Sequence, residues 1–108
     1  MFNEERISTF HVDQIDKDSI ISMWNKIDKK NFDIIIDDGL HTLKGALTLF
    51  ENSFSQLKKN RIYIIEDVHF SYLNDLTKKL IRFNPQVITL AHREGKKDNN
   101  LVVFRKRD

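Results

Sequence analysis

The sequence predicts an α/β fold, a mostly parallel sheet with helical crossovers that ends in an antiparallel hairpin. Three observations carry this. Ile34, Ile35 and Ile36 form a β-branched run without polar alternation, the pattern of a strand covered on both faces. A second run, Ile62-Tyr63-Ile64-Ile65, follows after a helix-length segment, which implies a right-handed crossover and parallel neighbours. Near the end, residues 87–92 and 101–105 are apolar segments joined by a polar turn, residues 94–100, containing Gly95.

The remaining elements follow in order. Residues 6–13 contain Ile7, Thr9, Phe10 and Val12 and favour a strand ended by Asp13 and Gln14. Residues 16–28 form an amphipathic helix, capped by Asp16 or Asp18, with Ile20, Ile21, Trp24 and Ile27 on one face. Trp24 reads as a core anchor. Residues 42–58 form the longest expected helix, with Leu43, Leu47, Phe50, Phe54 and Leu57 in its stripe, Lys58 and Lys59 at its negative pole and Asn60 as the turn beyond. Residues 72–83 form the last helix, bearing Leu73, Leu76, Leu80 and Phe83, and Pro85 helps stop it. Residues 87–92 read as a third buried strand.

A chain of 108 residues suits a single domain, 1–108, with one modest core. A hydrophobic content of 40% and a charged content of 31% exclude a disordered chain. The net charge of +2 is too small to argue for nucleic acid, and the basic residues Arg105, Lys106 and Arg107 read as a solvated terminus. Without cysteine there is neither a disulfide nor a thiolate metal site. No apolar run reaches membrane-spanning length and the first residues lack signal-peptide character, so a cytoplasmic location is expected.

Both isoleucine-rich runs stop at paired acids, Asp37-Asp38 and Glu66-Asp67. Gly39 then permits a tight or left-handed turn, and His41 precedes a helix. Strand ends of this kind are where open α/β sheets bind ligands. If the two strands are neighbours, four carboxylates share one rim and repel one another unless a cation or protons compensate. Asp37 taken alone reads as a helix cap or a solvent-facing acid rather than as a functional group. Asp13 could meet an adenine or ribose, or could simply turn the chain. His41 could start a helix and contact solvent. A metal-dependent phosphohydrolase or receiver-like domain would also gather acids at strand ends. It is disfavoured because the acids follow the later strands and no phosphate loop is evident.

The segments Phe32-Asp33-Ile34-Ile35-Ile36-Asp37-Asp38-Gly39-Leu40-His41 and Ile62-Tyr63-Ile64-Ile65-Glu66-Asp67-Val68, with Val12-Asp13-Gln14, Phe50 and Phe54, resemble the metal-dependent sugar O-methyltransferases. That family includes the macrocin and mycinamicin enzymes and belongs to the class I S-adenosylmethionine-dependent methyltransferases. The resemblance covers nearly the whole chain and corresponds to the carboxyl-terminal part of a Rossmann-like methyltransferase sheet. It implies that Asp38, Glu66 and Asp67 bind Mg2+, a hard cation that prefers oxygen ligands. It implies that His41 is the general base toward a hydroxyl of a small-molecule acceptor, such as a sugar. It places Asp13 and Asp37 on the side of the cofactor, S-adenosylmethionine.

Two local departures are Leu40, where the family usually has serine, and Lys59-Asn60-Arg61, where it commonly has proline-glycine-glycine. The larger departure is the glycine-rich cofactor loop. The chain has three glycines, and none forms such a loop. The fold expected by resemblance therefore lacks the first two strands, and the chain alone should bind the cofactor weakly or not at all. Two functions follow: a catalytic methyltransferase fragment, or a non-catalytic remnant stabilised by association. The unpaired edge of the 33–37 strand further implies a homo-oligomer, or a partner supplying the missing strands, joined through residues 7–12 or 33–37.

Overall fold

The computed structural model describes residues 3–4, 6–90 and 99–107. Its elements in order are β1 (Asn3–Glu4), β2 (Ile7–Ser8), α1 (Lys17–Lys26), β3 (Phe32–Asp37), α2 (Leu43–Glu51), a 3-10 turn (Phe54–Gln56), β4 (Leu57–Val68), α3 (Phe70–Lys79), a second 3-10 turn (Ile81–Phe83), β5 (Gln86–Thr89) and β6 (Asn100–Arg105). β3, β4, β6 and β5 lie side by side in that order. β3 and β4 are parallel, with Ile34 opposite Ile62 and Ile36 opposite Ile64. β6 runs antiparallel to both β4 and β5. Three strands thus share a direction, and the expected parallel neighbours and terminal hairpin are both present.

The core lies on one face of this sheet. Ala46 and Phe50 of α2 and Leu76 and Leu80 at α3 pack on Tyr63, Ile65, Val102 and Phe104. Phe50 is the hub, its ring centroid 4.6 Å from Phe104 and 4.9 Å from Tyr63. α1 packs beside α2. Asp16 caps it by accepting from the Asp18 N–H at 3.0 Å. Trp24 is buried as expected, and its Nε1–H donates to the buried Ser53 Oγ at 2.9 Å. A buried hydroxyl needs such a partner, so this bond fixes α1 against the end of α2.

Four expectations are corrected. The isoleucine run is not covered on both faces: Ile35 faces the core, whereas Ile34 and Ile36 are 54% and 52% exposed, because the described helices cover one side only. The helix expected over 42–58 ends at Glu51. Asn52 Nδ2 donates to the Thr48 carbonyl at 2.8 Å, and Ser53 is drawn inward to Trp24. Phe54 and Leu57 stay apolar-side residues, but in a 3-10 turn and at the start of β4; Lys58, Lys59 and Asn60 lie within that strand. The strand expected over 6–13 shrinks to Ile7–Ser8, which pairs with Asn3–Glu4 and takes no place in the four-stranded sheet. The strand expected over 87–92 is Gln86–Thr89 at the sheet's edge, with every residue exposed. Residues 91 and 92, and most of the 94–100 turn, lie outside the described residues.

Candidate functional site

Parallel pairing of β3 and β4 brings their carboxyl ends together, and the polar residues that terminate each strand meet there. Asp38, His41 and Asp67 each offer a ligand atom within 4.8 Å of the others, and all three are exposed. His41 Nε2 lies 3.6 Å from Asp38 Oδ1. These are an imidazole and two carboxylates.

Unusual backbone holds two of the three. His41 has φ 56° and Asp67 has φ 54°, in the left-handed region. The other positive-φ non-glycine residues among those described are asparagines, which tolerate the conformation. Such geometry costs a non-glycine residue on the order of 1 kcal/mol and is found where a site demands it. Gly39, expected to supply the left-handed turn, does not. Its role is close approach, since a Cβ there would overlap Gln14 Oε1. That oxygen accepts from the Leu40 N–H at 3.0 Å, while Gln14 Nε2 donates to both Asp37 carboxylate oxygens at 3.1 Å.

The acids at the rim thus have different positions. Asp37 is buried, held by Gln14 and by the Gly39 N–H at 3.0 Å, and burial pushes its carboxyl above the ordinary range. It braces the loop beneath the cluster. Glu66 continues the alternation of Ile62 and Ile64 and lies outside the Asp38–His41–Asp67 group. Asp13 accepts from the Ile15 N–H through its side chain at 3.2 Å and from the Asp16 N–H through its carbonyl at 3.1 Å, so in this chain it turns the backbone into α1.

Beside the cluster is a cleft of about 480 Å³ lined by His41, Thr42, Leu43, Asp67, His69, Ser71 and Tyr72. His69 lines this cleft although the sequence does not single it out. Its Nδ1 accepts from the Ser71 N–H at 2.9 Å and caps that helix. The signal for it was a second histidine two positions after the second acid pair. α2, by contrast, is capped by Thr42, whose Oγ1 accepts from the Gly45 N–H at 3.1 Å, which leaves His41 free of capping duty.

A search of protein-family models gives no match. The chain is 35% identical, over 69 residues, to 8-demethyl-8-alpha-L-rhamnosyl tetracenomycin-C 2'-O-methyltransferase of Streptomyces olivaceus. Over that stretch the chain is similar to an O-methyltransferase. That match takes in 64% of this chain and 18% of the relative. The fold of this chain matches that of MycE methyltransferase from the mycinamycin biosynthetic pathway, solved with Mg and SAH, at a TM-score of 0.65 and 24% identity. The structural match takes in 97% of this chain and 33% of MycE, so the chain spans a fraction of either protein's length. Among its described residues no helix is long and apolar enough to cross a membrane.

Proposed function

We propose that this chain carries the acceptor and metal side of an S-adenosylmethionine- and Mg2+-dependent O-methyltransferase acting on a sugar hydroxyl. The observation that supports it is the meeting of Asp38, His41 and Asp67 at the tips of two adjacent parallel strands, beside an open cleft. The donor set suits a hard cation: Asp38 and Asp67 would hold it, with Glu66 from the same strand end completing the set that the family resemblance implies. When bound, such a cation lowers the pKa of a coordinated hydroxyl. His41 accepts the acceptor's proton, and Asp38, 3.6 Å away, stabilises the resulting imidazolium. Thr42, His69 and Tyr72 line the cleft where the acceptor is oriented.

The chain lacks a glycine-rich cofactor loop, and it aligns with a third of MycE. Transfer of the methyl group therefore needs a cofactor cradle beyond the residues described, and the 108 residues alone are expected to be inactive. The second reading, a non-catalytic oligomerising remnant, draws on the uncovered apolar face of the sheet.

Manganese tests the metal site because it substitutes for magnesium at oxygen donors and broadens nearby NMR signals. Titration into the isolated chain is expected to broaden the signals of residues 38, 41 and 67 first, and Asp38→Asn with Asp67→Asn is expected to abolish this selectivity. Uniform broadening in both proteins would defeat the assignment.

A further inference from the structure

The loop that presents Asp38 and His41 is gripped at two points by one side chain. Gln14 Nε2 donates to both oxygens of the buried Asp37 carboxylate at 3.1 Å, and Gln14 Oε1 accepts from the Leu40 N–H at 3.0 Å. Asp38 follows Asp37 in sequence, and His41 follows Leu40. Each residue of the pair therefore hangs from a neighbour that Gln14 holds. One amide fixes both points, and so fixes the span between them.

This brace is itself anchored. The Asp13 N–H donates to Ser19 Oγ at 2.8 Å, and Asp13 accepts from the N–H groups of Ile15 and Asp16. Gln14 thus projects from a turn closed onto α1. That helix is seated by the fully buried Ile20 and by the bond from Trp24 to Ser53. A continuous path of buried and bonded groups runs from the interior to the β3 tip.

A carboxamide of this length meets both demands at once. The group must donate toward a carboxylate and accept from an N–H. Glutamate would set two carboxylates face to face, and asparagine is one methylene shorter. A flipped amide would oppose like dipoles at both ends, so the partners settle its orientation. Gly39 leaves the room, because a Cβ there would overlap Gln14 Oε1. We infer that Gln14 is a positioning residue, whose amide sets the spacing of Asp38 and His41 from a turn 23 positions before Asp37. The chemical use of that spacing rests on the metal and proton-transfer reading above; the spacing itself does not. Supporting bonds of this kind orient the groups that bind a metal, and their loss weakens affinity about tenfold or more.

NMR of the 108-residue chain reads the brace directly. In the parent, the Leu40 amide is expected to exchange slowly with solvent, and the His41 ring to show a nuclear Overhauser effect to the Asp38 β protons. Gln14→Met keeps the length and removes the bonds. It is expected to free the Leu40 amide, abolish the Overhauser effect and weaken selective manganese broadening at residues 38, 41 and 67 about tenfold. Gly39→Ala fills the seat of the Gln14 amide and should do the same. A third arm reverses the bond polarity. Gln14→Glu alone should match the loss in Gln14→Met. Combined with Asp37→Asn, it lets an amide at position 37 donate to a carboxylate at position 14, and should restore all three signals. Circular dichroism and thermal unfolding identify the folded variants; if Gln14→Met fails to fold, Gly39→Ala and the polarity swap carry the comparison. The inference is overturned by a Leu40 amide that exchanges as fast in the parent as in the variants, by an Overhauser effect that persists in folded Gln14→Met or Gly39→Ala, or by a swap that restores neither. Manganese selectivity that survives these substitutions at full affinity also overturns it. A parent that shows the Overhauser effect, and its loss in the variants, but no selective manganese broadening overturns the metal reading alone.

Discussion

The tips of β3 and β4 are built on one plan and used differently. Each apolar strand ends in two acids, each tip contains a left-handed residue, and each has a histidine just before a helix. At the β3 tip the left-handed residue is His41 itself, and Thr42 takes over the capping of α2. At the β4 tip the left-handed residue is the acid Asp67, and the histidine, His69, caps α3 with its own ring nitrogen. A shift of one position in who caps the helix therefore decides which imidazole is available for proton transfer. His69 keeps its Nδ1 engaged with backbone, so the neutral ring carries its proton on Nε2 and is a donor toward the cleft.

Breaking the caps tests this contrast with the largest expected effect. Thr42→Ala and His69→Ala should each cost about 1 kcal/mol in urea denaturation, whereas His41→Ala should cost less than half of that. Equal losses at His41 and His69 would remove the distinction. Next in size, His41→Gly and Asp67→Gly relieve left-handed strain and should each gain about 0.5 kcal/mol, although selective manganese broadening is impaired. Destabilisation by both glycines would show that their side chains hold the tips together.

The smallest effect separates the first acid of the β3 tip from the rest of the strand. Burial raises the Asp37 carboxyl above its ordinary value of 3.8, so the folded state takes up a proton more readily than the unfolded one. Its contribution to stability grows as pH falls through the folded value toward 3.8, and Asp37→Asn should erase that gain. Asp33, at the other end of β3, is held below 3.8 first by Lys58 and then by Arg61. Its contribution is present above 3.8 and is lost as pH falls through the lowered value. Being fully exposed, it is weak. Thermal unfolding of Asp37→Asn and its parent across the acidic range reads the first window separately from the second.

What could be read in the sequence was whatever is written locally. A β-branched run stopped by two acids specifies a strand and its tip, and two such runs a helix apart specify parallel neighbours. The convergence of Asp38, His41 and Asp67 follows from that register. What depended on distant partners was hidden. Phe54 and Leu57 keep the helical period beyond Glu51, yet the chain leaves the helix because Ser53 is claimed by Trp24 from 29 residues away. The isoleucine run looks the same whether one or both of its faces are covered, since the pattern reports capacity for burial and not what is present to bury it. Gly39 drew the expectation of a left-handed turn, but its small size serves Gln14, a contact across 25 positions of sequence that no local rule reports.

The order of strands in the sheet has a consequence for how the chain is made. β5 is synthesised before β6, yet among the described residues its only sheet neighbour is β6, which sits between it and β4. Gln86–Thr89 therefore has no ladder to join when it leaves the ribosome, and β4 presents a bare edge through the same interval. Both are completed together when Asn100–Arg105 slides in, and the buried Asn100 then ties the Val68 carbonyl to the Thr89 hydroxyl across three strands. Assembly of this sheet is a late, non-local event, and the nascent chain must be kept from pairing with the wrong edge until its last strand arrives.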